Sequence, residues 1–246
     1  MERAEYERLN AVEDTMWWFR GLHAHLLAAL ARHRAAEAAA GRVLDAGCGT
    51  GGLLARLRRS FPETAAIGLD LDPDACAAAR AKAGCAVCVG SADALPFADA
   101  SLAAILSADL LCHRAVAEGR ALGEFRRCLA PGGILILNLP AYQWLLSAHD
   151  RAVHNVRRYT RRRLARLLAE ADFAPIEMSY WNTLLFPLMA IRRTFARSRI
   201  ARSDVMLYPA PVEAAFHALV RFETMLLNSG VTLPFGGSLL AIAVKA

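Results

Sequence analysis

One stretch constrains this chain more than any other: VLDAGCGTGG, residues 43–52, where a short apolar run ends on an acid and turns at once into a glycine-rich bend. Gly47, Gly49 and Gly52 stand at G-x-G-x-x-G spacing, the pattern of a strand–loop–helix turn that holds an adenosine-containing ligand at the tip of a parallel sheet. The surrounding sequence agrees with such a turn. Strand-like runs at 42–46, 65–71, 86–90, 102–107, 134–139, 173–180 and 238–245 alternate with helical patterns at 53–60, 74–83 and 115–129. Behind a capping Thr160, the stripe Leu164, Leu167, Leu168 and Ala171 marks another helix, and residues 22–38 predict one N-terminal helix before the first strand. The expected architecture is α/β: a Rossmann-like sheet of seven strands with helices on both faces and right-handed crossovers.

With 246 residues, 56% of them apolar, the chain is expected to form one domain. Its parts are an N-terminal helical lid (1–40), a ligand-binding core (41–180), a helical insertion or substrate cover (181–237) and the last strand (238–246). The start, MERAEYERLNAVEDT, carries charges of both signs and lacks the apolar core of a signal peptide, so a cytoplasmic location is expected. Six scattered cysteines argue for reduced thiols, and the lone C-x-x-C of Cys85 and Cys88 reads as strand packing. The net charge of +6 arises mainly after residue 150, where RAVHNVRRYTRRRLAR holds seven arginines. That run is either a solvated helix face or a surface for an acidic partner. The apolar TLLFPLMAI is only about nine residues long, too short to cross a bilayer. Followed by Arg192, Arg193, Arg197, Arg199 and Arg202, it is a helix buried against its own domain, the wall of a greasy pocket, or a segment lying in the inner face of a membrane.

The acids around the bend separate the ligands that such a loop accepts. Asp70 ends the second strand, where a ribose hydroxyl needs an acceptor whether the ligand is a dinucleotide or S-adenosylmethionine. Asp45 precedes the glycines, where it would repel a pyrophosphate but suit an ammonium and a sulfonium. Asp93, in GSADALPF, ends another strand at the same edge and can accept from an adenine amino group.

On these residues the chain resembles the class I S-adenosylmethionine-dependent methyltransferases, in particular the ubiquinone-biosynthesis-like, type 11 group. VLDAGCGTG is similar to that family's first motif, GLDLDP to its acidic second strand end, GSADALPF to its adenine loop and LAPGGILILNLPAY to its fifth strand. The runs AYQWLLSAHDRAVHNVRRYT and WNTLLFP look like a bacterial subgroup associated with cell-surface glycan or lipid-linked sugar pathways. The resemblance implies S-adenosylmethionine as cofactor and S-adenosylhomocysteine as its product. Gly47, Gly49 and Gly51 would let the backbone approach the methionine portion. Asp70 with Leu71 would hold the ribose, and Asp93 with the Ala92 or Ala94 amide the adenine. Asp45 would orient the loop or the amino group. Ser107 and Asp109 would face the methyl group or methionine tail, Asp109 being alternatively a helix cap. The WWF-R pattern suggests a lid in which Trp18 faces the sulfonium or substrate and Arg20 pairs with the methionine carboxylate; alternatively it anchors the helix.

Methyl transfer asks a protein for position, desolvation and sometimes a base. His149, His154 and Tyr159, with Asp150 as an orienting partner, follow the fifth strand, and His113 is a second base candidate; structural hydrogen bonding is the alternative for each. Arg157 and Arg158 either bind an anionic acceptor group or pair with nearby acids. His149 and His154 are five apart without a third ligand, so no metal is expected. NLPAY follows the fifth strand rather than the fourth, which disfavours nucleic-acid amino methylation. The expected acceptor is therefore oxygen, nitrogen or carbon of a small or lipid- or glycan-linked molecule. A nucleic-acid methyltransferase, a non-methylating member of the fold and a membrane-surface binding protein remain the alternatives, and a dimer is left open.

Overall fold

The computed structural model describes residues 3–33, 41–195 and 205–245. Seven strands, β1 (Arg42–Ala46), β2 (Ala65–Asp70), β3 (Ala86–Val89), β4 (Leu102–Ala108), β5 (Leu129–Pro140), β6 (Phe173–Trp181) and β7 (Ser238–Lys245), form one sheet in the order β3-β2-β1-β4-β5-β7-β6. The first five run parallel; β7 is antiparallel to both β5 and β6. Strand order reverses between β1 and β4, the position at which open α/β sheets part to admit a ligand.

Successive residues of β5 show why both faces are covered. Ile134 and Ile136 pack with Leu26 of α2 (Trp17–His33), Leu54 and Leu57 of α3 (Gly52–Ser60) and Ala79 of α4 (Pro73–Ala83). Leu135 and Leu137 pack on the other side with Phe125 of α5 (Glu118–Cys128) and Leu164 and Leu168 of α7 (Arg161–Glu170). A strand buried on both sides needs an unbroken apolar run, and ILIL, residues 134–137, supplies it. Local chemistry sets the helix starts. Asp72 accepts from the Asp74 and Ala75 amides at 2.9 and 3.0 Å ahead of Pro73, and Thr160 accepts from the Arg163 amide at 3.3 Å. The cysteines are free thiols, with Cys85 and Cys88 packed against the two opposite cores.

The N-terminus departs from expectation. Two helices stand there, α1 (Arg3–Val12) and α2, and α2 begins at Trp17, so WWF forms its first turn; the expected helix beyond His33 lies outside the described residues. α5 starts at Glu118 rather than 115 because both carboxylate oxygens of Asp93 accept from the Ala117 amide at 3.1 Å. The 181–237 segment carries α8 (Phe186–Phe195) and α9 (Ala210–Asn228), while Arg197, Arg199 and Arg202 fall outside the described residues. α9 crosses α2 at Gly21, where an added Cβ would overlap Val220. A short helix α6 (Ala148–Ala152) follows β5. No helix among the described residues is long and apolar enough to cross a membrane.

Candidate functional site

A cavity of about 940 Å³ opens over the carboxyl ends of β1, β2 and β4. The glycine bend forms its floor, with the Gly47 and Cys48 amides donating to Leu69 O at 2.8 and 3.0 Å. Asp70 fixes the bend from the neighbouring strand: its carboxylate accepts from the Gly49 amide at 2.9 Å and the Asp72 amide at 3.0 Å. Tyr6 of α1 donates its hydroxyl to the same carboxylate at 3.3 Å.

Asp45 is the most informative residue here. It lines the cavity, is 1% exposed, and its Oδ2 has no hydrogen-bond partner among the described residues. Burial, with the charges of Asp70 and Glu13 added, raises its carboxyl to about 8. A buried acid without a partner is costly, and a cationic ligand supplies the missing charge.

Glu13, which sequence reasoning passed over, fastens the end of the bend. Reaching in from the turn between α1 and α2, its carboxylate accepts from the Thr50 hydroxyl at 2.6 Å and from the Gly52 amide at 3.2 Å, and it pairs with Lys82. The amino end of α3, where a dinucleotide's phosphate would seek free amides, already holds an anion from the chain itself. The only hint in the sequence is an acid before the WWF pattern, too common a feature to single out.

The far half of the cavity lies between α2, α6 and α8. Trp18 stacks on Trp181 with centroids 5.9 Å apart, and Leu185, Leu188 and Met189 continue the apolar wall. Asp109 follows β4 with φ at 51° and lines the cavity; its Oδ1 accepts from Asn138 Nδ2 at 2.9 Å, while Asn138 Oδ1 accepts from Trp181 Nε1 at 2.7 Å. Burial raises the Asp109 carboxyl to about 7 against the opposing pull of Arg158 and Asn138. His113 and His149 also reach the wall, and burial first among several causes lowers His113 to about 4. Asp150, capped into α6 by Ser147, accepts from Arg158 at 2.8, 3.0 and 3.1 Å and from Arg193 at 3.4 Å. Burial raises the Asp150 carboxyl, but Arg158 and Arg193 outweigh it, so the net direction is down.

The cavity thus gathers Asp45, Gly47, Gly49, Asp70, Leu71, Ala92, Trp18, His113, His149, Asp150 and Arg158 from the residues expected at the site. Seven others stand off its wall. Gly51 faces Ala79 of α4, and Asp93 is turned to the Ala117 amide, so that from this loop Ser91 and Ala92 line the cavity instead. Ser107 is buried beneath the β4 tip, one residue short of the wall at Ala108. Arg20 sits close enough to His217 for its charge to add to burial in lowering that histidine. His154 lies in a turn at φ 60°, its ring 5.7 Å from that of His113. Tyr159 is fully buried, donating to Leu111 O at 2.9 Å and lying 2.6 Å from Glu118 Oε1, and burial pushes its hydroxyl well up. Arg157 donates to Val116 O at 2.7 Å and to His113 O, tying down the loop after β4. Tyr159 and Arg157 are therefore framework rather than catalytic or substrate-binding groups. Among the described residues, no group of three His, Cys, Asp or Glu is arranged to hold a metal ion.

Residues 43–133 match the family described as "Methyltransferase domain". Over 97 residues the chain is 39% identical to malonyl-[acyl-carrier protein] O-methyltransferase of Dechloromonas aromatica, covering 39% of this chain and 35% of that protein. Over 108 residues it is 41% identical to demethylmenaquinone methyltransferase of Thermus thermophilus, covering 42% and 49%. The chain thus spans less than half the length of these curated relatives. Among solved structures, the methyltransferase of a Haloferax volcanii complex with the activator Trm112 superposes with a TM-score of 0.62 at 23% identity, covering 100% of this chain and 99% of that one. Geranyl diphosphate C-methyltransferase of Streptomyces coelicolor gives 0.58 at 18% identity, covering 89% and 80%.

Proposed function

We propose that this chain, a class I methyltransferase by its fold and by the family its residues 43–133 match, binds S-adenosylmethionine at the glycine bend and methylates an acceptor held in the far half of the cavity. The observation that carries this reading is Asp45: a buried, unpartnered carboxylate, beside a bend whose own anion position Glu13 has filled, fits a positively charged adenosyl ligand and opposes a dinucleotide. The cofactor, when bound, supplies a methyl group already activated by its sulfonium. The protein's residues do the rest. Asp70 and the Gly47 to Gly49 backbone hold the nucleoside end, with Tyr6 of α1 above them. Trp17, Trp18 and Phe19 keep water from the far half. Asp109, fixed by Asn138 and poised near neutrality, takes the acceptor's proton; His149 is the second candidate for that role, and His113 at about 4 is a weak base. The acceptor is a small molecule with oxygen, nitrogen or carbon at the reacting position, and the site works at the mouth of a water-excluding pocket rather than on a nucleic-acid surface.

Asp45 makes the reading testable without a known acceptor. With its folded carboxyl near 8 against about 4 for an ordinary aspartate, Asp45 is largely protonated at pH 7 in the ligand-free protein. A cation beside it favours the charged form, so S-adenosylmethionine binding releases up to about one proton at pH 7 and tightens as pH rises towards 8. Calorimetry at pH 7 in buffers of different ionisation enthalpy measures that release directly. Asp45→Asn is expected to abolish it and weaken binding. No proton release from the wild-type chain, or tighter uptake of a pyridine dinucleotide, sinks the assignment.

A further inference from the structure

Taking the acceptor to occupy the far half of the cavity, as proposed above, we propose that Asn182, at the tip of β6, is its recognition residue: the amide oxygen takes a hydrogen bond from a hydroxyl or N–H group set in an otherwise apolar acceptor. Three cavity-lining residues besides Asp45 carry a buried polar atom with no partner among the described residues: Trp17 Nε1, His23 Nδ1 and Asn182 Oδ1. The first two belong to rings packed edge-on or tilted against other rings, Trp17 on Phe216 and His23 on Phe19. Asn182 differs, because the fold fixes it from three sides. Its φ is 56°, in the left-handed region that Asn enters more easily than most residues. Glu223 of α9, itself 1% exposed, accepts from the Leu184 amide at 2.7 Å and also bonds the Thr183 and Asn182 amides, while burial raises its carboxyl. From β7, the Gly237 amide donates to Asn182 O at 3.3 Å. A Cβ on Gly237 would stand 2.8 Å from Met189 Cε and 3.2 Å from Asn182 Nδ2, and one on Gly236 would overlap Trp181 O. A left-handed residue and a buried carboxylate are both unfavourable, and they converge on a side chain whose oxygen is unmet.

The surroundings define what meets that oxygen. Leu185 and Met189 continue from Asn182 as an apolar wall, so an acceptor entering here leaves water behind on both its body and its polar groups. A donor on the acceptor regains its hydrogen bond at Asn182, and a wholly apolar molecule leaves the amide unmet. Asp109 follows β4 and Asn182 follows β6, three places along the sheet, which sets their backbones roughly 14 Å apart at the usual strand spacing. One group cannot serve both. The donor read by Asn182 is therefore separate from the atom that is methylated near Asp109.

The test uses the full chain saturated with S-adenosylhomocysteine and titrates two matched pairs by calorimetry: 2-naphthol against 2-methoxynaphthalene, and indole against 1-methylindole. Each pair keeps the apolar body and differs in whether the polar atom carries a proton. The donor member of at least one pair is expected to bind about tenfold tighter than its methylated partner, the size of one buried hydrogen bond, and the pair with the larger ratio identifies the donor as hydroxyl or N–H. Asn182→Gly suits the left-handed backbone and removes the amide, so it should bring that ratio close to one with S-adenosylhomocysteine affinity unchanged. Asn182→Asp, which keeps an acceptor oxygen, should retain the preference for the donor. If Asn182 serves only to hold the backbone, the glycine variant keeps the wild-type ratio. That result overturns the proposal, as does equal binding within both pairs or failure of both donor probes to bind. The same titrations without S-adenosylhomocysteine separate the two readings: a donor preference that depends on Asn182 in a chain that does not bind the nucleoside removes the methyl-transfer reading and keeps this site.

Discussion

Replacing Asp109 by Asn is expected to lower methyl transfer by about 10²–10⁴-fold while leaving S-adenosylhomocysteine affinity within a few-fold of wild type. The amide keeps the shape of the carboxyl group and removes its basicity. The effect should be confined to turnover because Asp109 sits at the β4 tip, held by Asn138 through a 2.9 Å hydrogen bond, away from the residues that fix the bend. The wild-type rate should rise as pH passes through about 7, when the carboxyl loses its proton, and the Asn variant should lack that limb. The stability consequence has the opposite sign. An acid whose folded carboxyl is raised binds more protons folded than unfolded, so its contribution is complete below about pH 4 and is lost progressively as pH rises towards 7. The Asn variant should therefore melt no lower than wild type at pH 8. A rate unaltered by the substitution would hand the base role to His149, where His149→Gln is the decisive comparison.

Gly51→Ala should be the most destabilising single-methyl change in the bend. Gly51 has φ at 91°, and a Cβ there would stand 2.7 Å from Ala79 Cα and 2.9 Å from Ala79 Cβ, neither of which can swing aside. Backbone strain and overpacking together give a loss on the order of 3–5 kcal/mol, or roughly 10 °C in thermal midpoint for a chain of this size. Gly119→Ala is the control: it lies in α5 with nothing within 4 Å of the added methyl and should stabilise by up to about 1 kcal/mol. Thermal denaturation of the two variants side by side distinguishes a requirement for close helix packing from a general sensitivity to lost glycine. The glycine that the family resemblance sets beside the methionine portion thus serves to bring α3 against α4.

How much of this was legible in the sequence follows from the range of the interactions involved. The strands and their order of appearance could be read because a doubly covered sheet leaves continuous apolar runs, and the caps at Asp72 and Thr160 because they act within three residues. Asp45, Asp70 and the bend were legible for the same local reason. Arg157, Tyr159 and Asp93 were misread because their side chains are claimed across the fold, by Val116, Leu111 and Ala117, and nothing near them in sequence announces those partners. Tyr6 escaped notice because α1 mixes charges of both signs along RAEYERLNAV, and Glu13, in the turn just after it, because one acid in a turn announces no partner; the importance of both appears only once α1 lies over the bend. Asp109 was visible as a strand-end acid, but its poise near neutrality depends on burial that only the assembled cavity creates.

Glu213 of α9 accepts from the Trp17 amide at 2.8 Å and from the Tyr208 amide at 2.9 Å, so one carboxylate is bolted to the first turn of α2 and to the chain that leads into α9. A door hung from one bolt on both its leaves cannot swing on one side alone. Loosening the aromatic turn that lines the far half is therefore expected to loosen the wall beside Met206 as well, so that the two sides of that half open together.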